Sequence, residues 1–147
     1  MFSHSKGDRK IELFVFDAFI AILKIKKVAS KFDNAQSLLH SFTDWDSVIR
    51  EFEIAGEASK HLLQNKFLNK SYQEVVDFRN HITHQYFGID ADIVWAIIGN
   101  DLHDFEQALI QLIENMKPEL KRELITAFIE DNRYLDFVVQ TLTEIDQ

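Results

Sequence analysis

Ile11-Glu12-Leu13-Phe14-Val15-Phe16-Asp17-Ala18-Phe19-Ile20-Ala21-Ile22-Leu23-Lys24-Ile25-Lys26-Lys27-Val28-Ala29 is the stretch whose spacing decides the fold class. Ile11, Phe14, Val15, Ala18, Ile22, Ile25 and Ala29 recur at steps of three, four and seven, which places them on one face of a helix. Glu12, Asp17 and Lys24 interrupt the apolar run, so it is too short to span a bilayer and does not read as a signal segment.

The same period continues outward. Asp33-Asn34-Ala35-Gln36-Ser37 marks a break. Thr43-Asp44-Trp45-Asp46 resembles a capping box with Asp in place of Glu. Val48, Phe52, Ala55 and Leu62 then form a second apolar face that ends near Gln64-Asn65. Ser71-Tyr72-Gln73-Glu74 is a second capping box and opens a shorter helix that reaches about His84. Gly88 fits a chain reversal after it. Asp90-Ala91-Asp92 caps a long helix whose Val94, Ile98, Leu102, Phe105, Leu109, Leu112 and Met116 make a near-heptad stripe, suited to a bundle or a dimer seam. Lys117-Pro118-Glu119 restarts a helix carrying Leu120, Leu124 and Phe128. Asp131-Asn132 breaks the chain again before Leu135, Val138, Leu142 and Ile145. The sum is an all-α bundle of about six helices, four of them central.

Composition agrees. The 147 residues suit one domain. With one Pro and four Gly, a sandwich or barrel of many tight turns is excluded. Zero Cys removes disulfides, thiolate zinc sites and a Cys nucleophile, and leaves the chain cytosolic or indifferent to redox state; cytoplasmic residence is the default, with no membrane. Most of the thirteen Phe fall among Ile and Leu at helical spacing and read as core. Phe87, in the turn after the third helix, is the exception.

A net charge of −8 argues against broad nucleic-acid binding. The charge is graded: residues 1–33 hold seven basic and four acidic residues, and residues 34–147 hold nine and twenty. Lys24, Lys26, Lys27 and Lys31 crowd the end of the first helix. They form either a solvated face that complements a helix C-terminus or a local phosphate-binding patch.

Chemistry concentrates in Asp77-Phe78-Arg79-Asn80-His81-Ile82-Thr83-His84-Gln85-Tyr86-Phe87-Gly88-Ile89-Asp90. Asp77, His81 and His84 share a helix face and offer a carboxylate and two imidazoles to a divalent metal, without a fourth ligand from another motif. Ser-His nucleophilic catalysis has no supporting Gly-x-Ser-x-Gly elbow. Metal-free cleavage of RNA needs a base for the ribose 2′-hydroxyl, an acid for the leaving oxygen and a cation for the phosphorane charge. Arg79 and His84 are of those types. Five residues separate them by about 140° on a straight helix. Either the helix ends between them, or each site combines residues from two copies.

This stretch resembles the HepT group of HEPN-domain proteins, toxins of HepT/MntA toxin–antitoxin pairs. The group's signature is Arg, four residues, His, one residue, Tyr; here it runs from Arg79 through His84 to Tyr86, with the polar Asn80 after the Arg. Phe87-Gly88-Ile89-Asp90 with Ile93-Val94-Trp95, and upstream Val48-Ile49-Arg50-Glu51-Phe52-Glu53-Ile54-Ala55-Gly56-Glu57-Ala58-Ser59-Lys60, are similar as well. The likeness spans roughly residues 8–115.

The resemblance implies an antiparallel up-and-down helical bundle over residues 1–116 that dimerises around the motif. Residues 117–147 lie beyond the part it covers and are read, from their own helical spacing, as one or two extra helices packed on the same domain. It implies a metal-independent endoribonuclease without cofactor, in which Arg79 and His84 are catalytic and Asn80 assists. It implies three partners: a second copy, an RNA substrate and an MNT-type nucleotidyltransferase antitoxin that transfers AMP to Tyr86. The Lys24–Lys31 cluster is a further candidate for RNA contact. The Pro or Trp common before the family motif is absent from Ser71–Phe78, and the acidic C-terminal tail extends past the family's usual end. A non-enzymatic partner or substrate of the nucleotidyltransferase is the second reading, favoured by the acidic surface.

Overall fold

A computed structural model describes residues 10–84 and 88–147, with side chains described outside 81–87. The fold is an all-α bundle. Among the described residues there are eight α-helices and no strand: α1 (Ile11–Ala29), α2 (Ala35–Leu39), α3 (Phe42–Gln64), α4 (Gln73–His84), α5 (Ala91–Asn100), α6 (Leu102–Glu114), α7 (Pro118–Asp131) and α8 (Asp136–Asp146).

α1 is the central helix. Val15, Ala18, Ile22, Ile25 and Ala29 of the expected stripe are buried, but so are Phe16, Phe19, Ile20, Ala21 and Leu23 from outside it. A helix apolar on more than one face must be covered on more than one side. α3 and α6 pack against it, and the Phe16 ring stacks on Phe128 of α7, with centroids 4.9 Å apart. Leu124 and Ile125 of α7 and Val138 and Leu142 of α8 join the same buried cluster as α1. α3 runs antiparallel to α1: Phe14 near the start of α1 stacks on His61 near the end of α3, and Lys31 beyond the end of α1 pairs with Asp44 near the start of α3.

Local chemistry explains the element ends. Asn34 Oδ1 accepts from the Ser37 backbone N–H at 2.9 Å, so the polar break after α1 nucleates a short helix, α2. α3 begins at Phe42, ahead of the expected Thr43 cap, and the Ser41 hydroxyl donates to Asp44 Oδ2 at 2.6 Å. A 3₁₀ turn, Lys70–Tyr72, capped by Asn69, leads into α4 where Ser71 was expected to cap. Asp90 caps α5 by accepting from the Asp92 N–H at 2.9 Å, and Pro118 opens α7. Gly88 has φ +113°, the left-handed reversal its position suggests.

One expectation fails. The stripe from Val94 to Met116 is not one long helix: the chain breaks at Asp101, after Gly99 and Asn100, two poor helix formers. The break lets α5 pack on α2 while α6 packs on α1. Val94, Leu102, Phe105 and Leu109 are consumed by the chain's own core rather than left for a dimer seam.

Phe16→Ala is expected to lower unfolding stability by about 3–5 kcal/mol, read from urea denaturation. A loss below about 1 kcal/mol would contradict the sealing of α1 by α7.

Candidate nucleic-acid cleavage site

The site grows from the seam between α3 and α4. Val76 is buried, Val75 and Phe78 are half-buried, and the Phe78 ring meets Phe52 edge-on with centroids 5.1 Å apart. This packing aims the neighbouring Arg79 across α3. There the partner residue is Gly56. A Cβ at position 56 would lie 2.1 Å from Arg79 Cβ and 2.6 Å from its Cγ, so only glycine admits this approach.

The close approach carries the guanidinium to the next residue of α3. Arg79 Nη2 lies 2.7 Å from Glu57 Oε1, and Arg79 Nη1 donates to Asn80 Oδ1 at 3.0 Å. The other oxygen of Glu57 is 3.6 Å from His61 Nε2, and the His61 ring stacks on Phe14 at 4.2 Å. The Arg79 side chain keeps 27% of its surface exposed and Glu57 keeps 44%. An ion pair this wet contributes at most about 1 kcal/mol to stability. Its consequence is geometric: it fixes a planar fork of donors at a surface that an anion can reach.

Arg79 and Asn80 are thus brought together. α4 extends to His84, but the side chains of His81 and His84, and all of Tyr86 and Phe87, lie outside the described residues. Asp77 accepts from Gln73 Nε2 at 3.3 Å. Among the described residues, no group of three His, Asp or Glu is placed to hold a metal ion, and no helix is long and apolar enough to cross a membrane. Glu57, Gly56 and His61 received no role from motif spacing, although Gly56-Glu57 stands in the segment that carried the likeness.

The lysine cluster divides. Lys26 pairs with Glu106 at 2.5 Å and Lys31 with Asp44 at 2.7 Å. The Lys31 ammonium, helped by the Ser41 hydroxyl, holds the Asp44 carboxyl below its ordinary value. The Lys27 ammonium sits 5.6 Å from the Phe137 ring centre. Lys24 and Lys27 line a groove that Glu51 also lines. Burial pushes the Glu51 carboxyl up, and Lys24 and Arg50 partly oppose this.

Comparison with known proteins points to one family. Residues 20–112 match the family described as Ribonuclease HepT-like. The chain is 30% identical over 97 residues to a protein named "Putative RNase MJ1380" from Methanocaldococcus jannaschii, covering 64% of this chain and 88% of that protein. A second protein of that organism, named "Putative RNase MJ0125", is 23% identical over 74% of this chain and 96% of its own. A protein of Thermococcus cleftensis named "Probable ribonuclease HepT" is 36% identical over 38% of this chain and 54% of its own. No solved structure matches.

Gly56→Ala is expected to force α3 and α4 apart and lower stability by about 1–3 kcal/mol; a neutral effect in urea unfolding would contradict the close approach. Glu51 gives a pH signature. Its folded value lies above the ordinary 4.5, so the native state holds this proton more tightly than the unfolded chain. Its contribution to stability is therefore greatest below that ordinary value and is lost as pH rises through the raised one. Glu51→Gln is expected to flatten this decline in melting temperature against pH; an unchanged slope would contradict it.

Proposed function

We propose, from the premise that the chain belongs to the Ribonuclease HepT-like family, that Arg79 and His84 form the catalytic pair of a metal-independent endoribonuclease and that Asn80 assists. Ribonuclease activity itself comes with that membership. The observation that carries the finer reading is the placement of Arg79: its guanidinium is held by Glu57 and Asn80 at an accessible edge of α4.

The chemistry follows from the residue types. A neutral His84 takes the proton of a ribose 2′-hydroxyl, and the 2′-oxygen attacks the adjacent phosphorus. The bond from phosphorus to the 5′-oxygen breaks, and that oxygen takes a proton from a protonated His84. The products are a 2′,3′-cyclic phosphate and a free 5′-hydroxyl. Arg79 stabilises the charge that builds on the phosphorane oxygens. Asn80 accepts from Arg79 and so holds the plane of the fork.

Each site is most simply built across a homodimer, with Arg79 of one protomer facing His84 of the other, and that single imidazole takes the 2′-hydroxyl proton and then passes it to the leaving 5′-oxygen. The wide angle between positions 79 and 84 on one helix supports that reading. Ile93 on α5, shortly after the motif, is half exposed and apolar, as a residue awaiting a second copy would be.

The same reading makes the chain the toxin of a cytoplasmic toxin–antitoxin pair. Its partner is an MNT-type nucleotidyltransferase that moves AMP from ATP to the Tyr86 hydroxyl, with pyrophosphate leaving. An adenylate two residues from His84 adds bulk and negative charge where RNA phosphate must approach. The net charge of −8 favours such a protein partner.

Arg79→Ala and His84→Ala are each expected to reduce RNA cleavage by about 100-fold or more, in the presence of EDTA and without loss of helical signal. Cleavage at the wild-type rate by both variants would contradict the assignment. With nucleotidyltransferase and ATP, intact-mass spectrometry should show one adenylate on the wild type and none on Tyr86→Phe; modification of Tyr86→Phe to the same extent would remove the regulatory role.

A further inference from the structure

An RNA strand occupies more than one phosphate, and an acidic surface must provide for the others. The α1 lysines are poorly placed for this. Lys26 and Lys31 are already neutralised. The groove of Lys24 and Lys27 holds Glu51, and the adjoining cavity is lined by Asp17, Glu51 and Asp131. Carboxylates in that position repel phosphate. The apolar cavity between α3, α4 and α6 is lined by Phe52, Phe78 and Phe105, with Glu74 and Asp101 but no cation.

The seam of α3 and α4 differs. Beside Arg79 it opens into a cavity of about 250 Å³ lined by Lys60, Leu63, Gln64, Gln73, Val76 and Asn80, with no carboxylate among them. Asn80 turns its Oδ1 to Arg79, so its Nδ2 donors are left to face elsewhere, and the residue lines this cavity. Lys60 is exposed, and no ion pair among the described residues involves it. It lies four residues along α3 from Gly56, where Arg79 crosses, which is about 6 Å of helix rise. Lys66 and Lys70 stand exposed in the turn beyond.

We propose that this cavity is a phosphate subsite for single-stranded RNA, in which Lys60 Nζ and the Asn80 amide bind the phosphate next to the one held by Arg79. The strand then runs along the α3–α4 seam from Arg79 past Lys60 toward Lys66 and Lys70, and the Gln64 and Gln73 amides meet its sugar or base edges. Lys60 is a positioning residue: it holds substrate without touching the reacting atoms. This rests on the ribonuclease reading above.

The test uses the full chain and a single-stranded RNA oligonucleotide with 2′-O-methyl groups, which lacks the attacking hydroxyl and survives the measurement. Fluorescence anisotropy across a salt series is compared for wild type, Lys60→Ala and Lys60→Arg. Lys60→Ala is expected to weaken binding about three- to tenfold and to reduce the slope of log affinity against log salt by about 0.7, one phosphate's worth on a single strand. Lys60→Arg should restore most of both. With cleavable RNA, Lys60→Ala should raise KM and leave kcat near wild type. Unchanged affinity and salt slope in Lys60→Ala overturn the subsite. If the wild type still cleaves RNA through Arg79, the ribonuclease reading survives that result. Oligonucleotide binding that depends on Lys60 without any cleavage would instead keep the subsite and remove the reading. A wild type that neither binds nor cleaves overturns both.

Discussion

The contact between the Gly56 backbone and the Arg79 stem is the constraint on which the site depends. Helices normally keep their distance because side chains stand between them. Here one side chain is missing, and the stem of an arginine fills its place. The guanidinium then emerges beside Glu57 rather than in open solvent, and the carboxylate and Asn80 set its plane. A flexible surface arginine would have to be ordered each time a phosphate arrived, at a cost of up to about 2 kcal/mol of side-chain entropy. Holding it beforehand removes most of that cost from the binding step.

The carboxylate that positions Arg79 also competes with phosphate for it. The competition is mild because Glu57 is half exposed and the pair is well solvated. In the proposed mechanism a dianionic phosphorane attracts the fork more strongly than a monoanionic diester does, which would favour the transition state over the ground state. The whole-chain charge of −8 then ceases to be an objection. On the proposed reading, contact with RNA is confined to a narrow strip of the α3–α4 seam, while Glu106 pairs with Lys26 and Asp44 with Lys31.

Much of this was legible in the residues. The 3.6-residue period gave the helices because burial on one stripe leaves a repeat that survives in one dimension. Asp90, Pro118 and Gly88 act through their own backbone or side chain, and their positions were readable. The break at Asp101 was hidden because α5 and α6 continue one apolar stripe into the same core, and only Gly99-Asn100 hinted at it. The second buried face of α1 was hidden because its cover, α7, is distant in sequence. For the candidate site, Arg79 and Asn80 were named from a motif, but Glu57 was given no role. Its part arises only when α3 lies antiparallel to α4, and no local pattern encodes that register. The pairing of Lys26 with Glu106, eighty residues away, was invisible for the same reason.

The central claim is that Arg79 and His84 act together across two copies of the chain. Mixing purified Arg79→Ala protein with His84→Ala protein, under conditions where subunits exchange, tests it directly. Each parent should be inert toward RNA in EDTA. The mixture should regain a substantial part of wild-type cleavage, because a mixed dimer unites one intact Arg79 with the intact His84 of its neighbour. A mixture that exchanges subunits and stays as inert as its parents would contradict the composite site.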